Sequence, residues 1–141
     1  RKRVDHIIFE KIHEDKWVLH LIEMKSSVSS EKWIYIKGKF RASYLLAQGI
    51  AAMLEIPIYE TVLYTTYDTV GFKNSETMPV SRRTGTGRRT FKAEWESGFA
   101  ELDFGSMLKL RHEAVKVDKE GECLHGRIDI NERKMHNIAD F

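Results

Sequence analysis

Trp17-Val18-Leu19-His20-Leu21-Ile22-Glu23-Met24-Lys25 is a strongly apolar run that closes on an acid and a base two residues apart. Side chains of an extended strand alternate in direction, so Trp17, Leu19, Leu21, Glu23 and Lys25 leave on one face. The acid and base therefore stand at the rim of a surface that must be buried. An uncompensated buried ion costs on the order of several kcal/mol. A bound divalent metal would compensate this one.

Upstream, Val4-Asp5-His6-Ile7-Ile8-Phe9-Glu10-Lys11-Ile12 reads as a second strand, and the polar His13-Glu14-Asp15-Lys16 as the turn of an antiparallel hairpin. Opposed residues share a face, so Asp5 meets Glu23 only if paired numbers sum to 28. That register sets Phe9 against Leu19 and Ile7 against Leu21. It requires an odd-length loop, such as His13–Asp15, or a bulge. Two carboxylates facing each other across a ladder repel unless a cation lies between them. His6 and His20 fall on the opposite face.

Downstream, Ser26–Ser30 reads as a polar connection, and residues 39–55 follow a helical pattern. Phe40, Tyr44, Ala47, Ala51 and Leu54 form one stripe, with Leu46, Ile50 and Met53 beside it. Pro57 helps to stop the helix. Trp33-Ile34-Tyr35-Ile36 suits either a short strand or an earlier helical turn. Ile58–Tyr67, rich in β-branched and aromatic residues, reads as a strand, and the strand–helix–strand order makes it parallel to the one carrying Glu23. From Asp68 to about Gly98 the pattern weakens over a length unusual for a structureless loop in a compact domain. Met107–Val117 and Glu122–Ile130 read as a late hairpin turning at Asp118–Gly121, and Asn131–Phe141 gives little signal.

The 141 residues suit one α/β domain with a mixed sheet: an antiparallel hairpin, a crossover helix, a parallel strand and a C-terminal β-hairpin. A formal charge of +2, from 23 Lys+Arg against 21 Asp+Glu, argues neither for nor against nucleic acid, so any basic surface is local. One cysteine, Cys123, excludes an internal disulfide and a Cys-rich zinc site. No apolar run approaches a membrane span and no signal-peptide pattern opens the chain. The expectation is a soluble, cytoplasmic protein without membrane contact.

Asp5 in one strand, Glu23-Met24-Lys25 at the end of the next, and Gln48 in Leu-Leu-Ala-Gln-Gly-Ile on the following helix resemble the PD-(D/E)xK nuclease superfamily, in particular its RecB-like branch. The resemblance covers roughly residues 4–67. It implies a restriction-endonuclease-like core and hydrolysis of phosphodiester bonds in DNA, with Asp5 and Glu23 holding Mg²⁺ or Mn²⁺. The backbone carbonyl of Met24 would supply a third oxygen, and Lys25 would orient or activate the attacking water. The catalytic set carried over is thus Asp5, Glu23, Lys25 and Gln48. The helix and strand that precede the aspartate in that superfamily have no counterpart before Asp5. Together with a start at Arg1, this reads as a fragment of a longer chain.

The chemistry is reasonable on its own terms. Hard oxygen ligands suit Mg²⁺, and positive charge beside a phosphoryl group stabilises the charge that develops during its attack. Arg41 and Gln48, seven residues apart, lie on nearly one helix face and are placed to contact phosphate or water. Ser81-Arg82-Arg83-Thr84-Gly85-Thr86-Gly87-Arg88-Arg89-Thr90 brackets a glycine-containing segment with two arginine pairs. Arg82, Arg83, Arg88 and Arg89 suit phosphates, although a solvated loop explains them equally. The Gly-x-Gly lacks the third glycine and the strand–helix setting of a dinucleotide site, and no Lys-Ser/Thr completes a P-loop. The histidines are better read as structural than as zinc ligands. The alternative to a nuclease is a non-catalytic nucleic-acid- or protein-binding domain on the same scaffold; a protein partner or a homodimer is compatible with both.

Overall fold

The computed structural model describes residues 2–73, 90–102, 108–117 and 135–137. The segment with Arg82, Arg83, Arg88 and Arg89, the expected strand Glu122–Ile130, Cys123 and His125 lie outside the described residues.

The architecture is α/β. The strands are β1 (His6–His13), β2 (Lys16–Met24), β3 (Ser27–Ser29), β4 (Ile58–Tyr67), β5 (Thr69–Gly71), β6 (Phe99–Glu101), β7 (Lys109–Lys116) and β8 (Met135–Asn137), and the helices are α1 (Ser30–Met53) and α2 (Phe91–Ser97). The main sheet has the order β6-β7-β4-β2-β1-β8, and β3 pairs with β5 in a small second sheet. The sheet is mixed: β1–β2, β1–β8 and β6–β7 are antiparallel, whereas β2–β4 and β4–β7 are parallel.

The hairpin takes the register in which paired numbers sum to 28, with Phe9 opposite Leu19 and Ile7 opposite Leu21. Near the turn His13 pairs with Lys16, and the ladder slips between Lys11 and His13. Ile12 is thus an extra residue on one strand, a bulge that corrects an even-length turn to the register further along. From Val18 onward β2 runs beside β4, with Leu21 against Leu63 and Glu23 against Thr65.

Both helices cover the face that bears the odd-numbered residues of β1, β2 and β4. Its core joins Ile7, Phe9, Leu19, Leu21 and Leu63 to Trp33, Ile36, Phe40, Ala47 and Ala51 of α1 and to Phe91 and Trp95 of α2. The other face gathers Ile8, Val18, Ile22, Val62, Tyr64 and Val115. There His20 lies with Nδ1 2.8 Å from the Tyr64 hydroxyl and Nε2 3.0 Å from Glu10 Oε1.

Helix α1 begins nine residues before the expected Lys39. Ser29 caps it, its hydroxyl accepting from the Lys32 N–H at 3.4 Å, and Glu31 sits in the positive first turn. Trp33-Ile34-Tyr35-Ile36 is therefore helical: Trp33 and Ile36, three apart, are fully buried, while Ile34 and Tyr35 point outward. At the other end Glu55 adopts a left-handed conformation (φ 55°) and the Ile56 N–H returns to the Ala51 carbonyl at 2.8 Å, closing the helix before Pro57. Tyr59 at the start of β4 is exposed, with the Lys16 ammonium 4.9 Å from its ring centroid.

Among the described residues, two short elements fall in the stretch from Asp68 to Gly98, where the sequence pattern is weak. Ser26 O accepts from the Asp68 and Thr69 N–H groups at 3.0 Å each, which starts β5 beside β3. Helix α2 is capped by Thr90, whose hydroxyl accepts from the Ala93 N–H at 3.1 Å, and stopped by Gly98 at φ 80°. Among the described residues no helix is long and apolar enough to cross a membrane.

Candidate functional site

The site lies where β1 begins, β2 ends and α1 crosses above them. Ser43 on the buried side of α1 accepts from the Val4 N–H at 2.9 Å and so fixes the chain just before Asp5. Asp5 Oδ2 in turn accepts from the Met24 N–H at 2.8 Å. The hairpin register brings the Asp5 and Glu23 carboxyls together on the helix-covered face, and Glu23 is 1 % exposed.

Two lysines reach the same Glu23 oxygen. Lys39 of α1 places Nζ 3.2 Å from Oε1, and Lys25 at the end of β2 places its Nζ at 3.9 Å. Lys39 is the more enclosed of the two; Lys25 stands at the rim. The other oxygen, Glu23 Oε2, is buried without a hydrogen-bond partner.

The two acids are driven apart in pKa. Burial pushes Glu23 above the ordinary carboxylate range, the neighbouring Asp5 pushes it further in that direction, and Lys39 pulls against both. Asp5 also feels a raising effect of partial burial, but the Met24 N–H, the contact with Glu23 and the charges of Lys39 and His6 together hold it below its usual value. A carboxylate pair on one site behaves in this way because two like charges at contact cannot both ionise freely.

Asp5, Glu23 and Lys25 therefore converge, as the sequence indicates. Lys39 joins them, although the sequence reading did not single it out. Its signal was positional: it precedes buried Phe40 and lies three residues after buried Ile36, so it borders the covered stripe of α1. Arg41 is exposed and Gln48 half-buried. Among the described residues no hydrogen bond or ion pair joins either of them to Asp5 or Glu23.

An extended residue directs its N–H and C=O to the same edge of the strand. The Met24 N–H faces Asp5, so the Met24 carbonyl leaves on that side as well. Among the described residues no three His, Cys, Asp or Glu side chains gather as a ligand set. Two carboxylates and one carbonyl are what this end of the sheet offers to a hard cation.

A second polar cluster ties the helices together. Glu94, fully buried on α2, accepts from Trp33 Nε1 at 2.6 Å, from Lys37 Nζ at 2.9 Å and, through Oε2, from the Glu101 N–H at 3.0 Å. Beneath it His112 is enclosed by Trp33, Phe40 and Trp95, with Nε2 2.8 Å from the Thr65 hydroxyl and Nδ1 unpartnered. Burial lowers His112 to about 3, so it is neutral at physiological pH. Both groups are structural.

Comparison with family models, with curated proteins and with solved structures found no match to this chain.

Proposed function

We propose that the protein is a metal-dependent nuclease hydrolysing phosphodiester bonds in DNA, on a restriction-endonuclease-like core of the PD-(D/E)xK type. One observation carries this reading: a buried, raised-pKa carboxylate with one oxygen unpartnered, Glu23, meets Asp5 directly while lysines approach from two elements. A protein core gains little from such an arrangement unless a ligand completes it.

The donor set fits a hard divalent cation, Mg²⁺ or Mn²⁺, held by Asp5, Glu23 and the Met24 carbonyl, with water filling its remaining positions. When bound, such an ion supplies a polarised phosphoryl oxygen and a water of lowered pKa. The residues of the chain do the rest. Lys25, at the rim, orients the attacking water and offers positive charge to the phosphate as its negative charge grows. Lys39 holds the Glu23 carboxylate in its rotamer from above. Asp5, steadied by the Met24 N–H, fixes the second oxygen donor.

The test is incubation of plasmid and single-stranded DNA with the protein in Mg²⁺, Mn²⁺ or EDTA, repeated with Glu23→Gln and Lys25→Ala. Cleavage is expected with either metal and not in EDTA, and each substitution should slow it on the order of 100-fold or more. Cleavage that continues unchanged in both variants would sink the proposal.

A second reading, a nucleic-acid- or protein-binding domain without catalysis, draws on the Glu23–Lys39 ion pair and on the absence of a three-residue ligand set among the described residues. Salt titration of DNA affinity separates the two kinds of partner: counterion release gives a steep loss on DNA, and a flat response points to a protein.

A further inference from the structure

Tyr35 is 52 % exposed on the first part of α1. A lone exposed aromatic means little on a protein surface. This one, however, has the Lys39 ammonium 5.3 Å and the Lys25 ammonium 5.9 Å from its ring centroid. These are the same two ammoniums that reach Glu23 Oε1. The aromatic ring therefore stands at the mouth of the acid pair, beside the lysines that line it.

The helix extends the pattern. Lys32, Tyr35 and Lys39 follow at spacings of three and four, so they form one row along α1. Lys32 is exposed and its Nζ donates to Ser27 Oγ at 2.6 Å, holding it near the end of β2. Cations interleaved with an aromatic ring are the combination that binds single strands, with the backbone followed by charge and a base stacked on the ring.

We infer that the site takes an unpaired nucleotide, its phosphate against Lys25 and Lys39 and its base stacked on Tyr35. This rests on the reading of the acid pair as a phosphodiester site and adds its substrate class. In an intact duplex every base is already stacked between neighbours and turned inward, so a ring beside the phosphate-binding lysines has no base face to meet. A single strand, a frayed end or a flap presents one.

The experiment is fluorescence anisotropy in EDTA with labelled oligothymidylate and with a blunt two-strand duplex closed by G·C pairs, comparing the wild-type chain with Tyr35→Ala and Tyr35→Trp. Tyr35→Ala is expected to weaken oligothymidylate binding about 10-fold or more, within the range for loss of one stacked base. It should leave affinity for the duplex within about 2-fold, and Tyr35→Trp should keep the single-strand affinity. Equal losses on both probes, no loss on either, or a wild-type chain that does not bind oligothymidylate would each overturn the inference. Because no metal is present, this readout is separate from hydrolysis. Tyr35-dependent binding without Mg²⁺-dependent cleavage would remove the catalytic reading and leave the unpaired-nucleotide site. Cleavage with no Tyr35 preference would do the reverse.

Discussion

Glu23 is placed where a carboxylate is least welcome, and its titration exposes the conflict. Its pKa is raised in the folded chain, chiefly by burial, so the native state binds a proton more tightly than the unfolded chain does. The associated stability is present below the unfolded pKa and is lost as pH rises through the folded value. A divalent cation needs the ionised form, so thermal stabilisation by Mn²⁺ should be small at acid pH and grow as pH rises through that value. Thermal melts with and without Mn²⁺ across this range check the point, and Glu23→Gln should abolish the metal-dependent shift at every pH. Much at this scale was legible. Strand alternation and one register argument were enough to put Asp5, Glu23 and Lys25 on one face. Lys39 was hidden because no short motif includes it, and it lies sixteen positions along the chain from Glu23, reaching it only after the intervening residues have turned back as β3 and the start of α1.

The two helices meet through Glu94, and the load on that contact can be measured. The carboxylate receives the Trp33 indole N–H, the Lys37 ammonium and the Glu101 backbone N–H in full burial. Glu94→Ala would remove the carboxylate that faces the largely enclosed Lys37 charge and accepts from the Trp33 and Glu101 N–H groups. A loss of about 3–5 kcal/mol is expected from breaking a buried pair in this way, measured by urea unfolding. A loss below about 1 kcal/mol would show that the contact is replaceable by water. The elements themselves divide by length. Strand β4 was readable to its ends, Ile58 and Tyr67, from β-branched and aromatic composition. The seven-residue α2 was missed, because two turns are too short for a periodicity to emerge. Its ends were nevertheless signed by Thr90 and Gly98. The first turns of α1 were ambiguous because four consecutive large residues carry no period of either kind. What decides them is that Trp33 and Ile36 meet the sheet and Ser29 caps the turn.

At the largest scale the described residues form two helices on one face of a mixed sheet, and the pH response of stability should report the centre of that interface. His112 is neutral in the fold, with a pKa of about 3 against an ordinary value of 6.5. The unfolded chain therefore binds a proton that the native chain refuses between those limits. Stability from this source is complete above pH 6.5 and falls as pH drops toward 3, at up to about 1.4 kcal/mol per pH unit for one proton. Urea unfolding at stepped pH should show that slope, and His112→Phe should flatten it whatever its effect on absolute stability. The parallel placement of β4 beside β2 followed from chain order alone, whereas the places of β7 beside β4 and of β8 beside β1 depend on pairings between segments remote in sequence, and the three-residue β6 is too short to carry a pattern. The extra residue at Ile12 bears on the whole sheet as well. Were Ile12 paired with Trp17 in place of bulging out, the ladder would run one step out of phase, and Asp5 would look across at Met24 in place of Glu23. The hairpin thus carries its own vernier: the turn can be rewritten in composition without moving the acids, but a single position added or lost in the paired stretch between the bulge and Asp5 resets which side chains share a face.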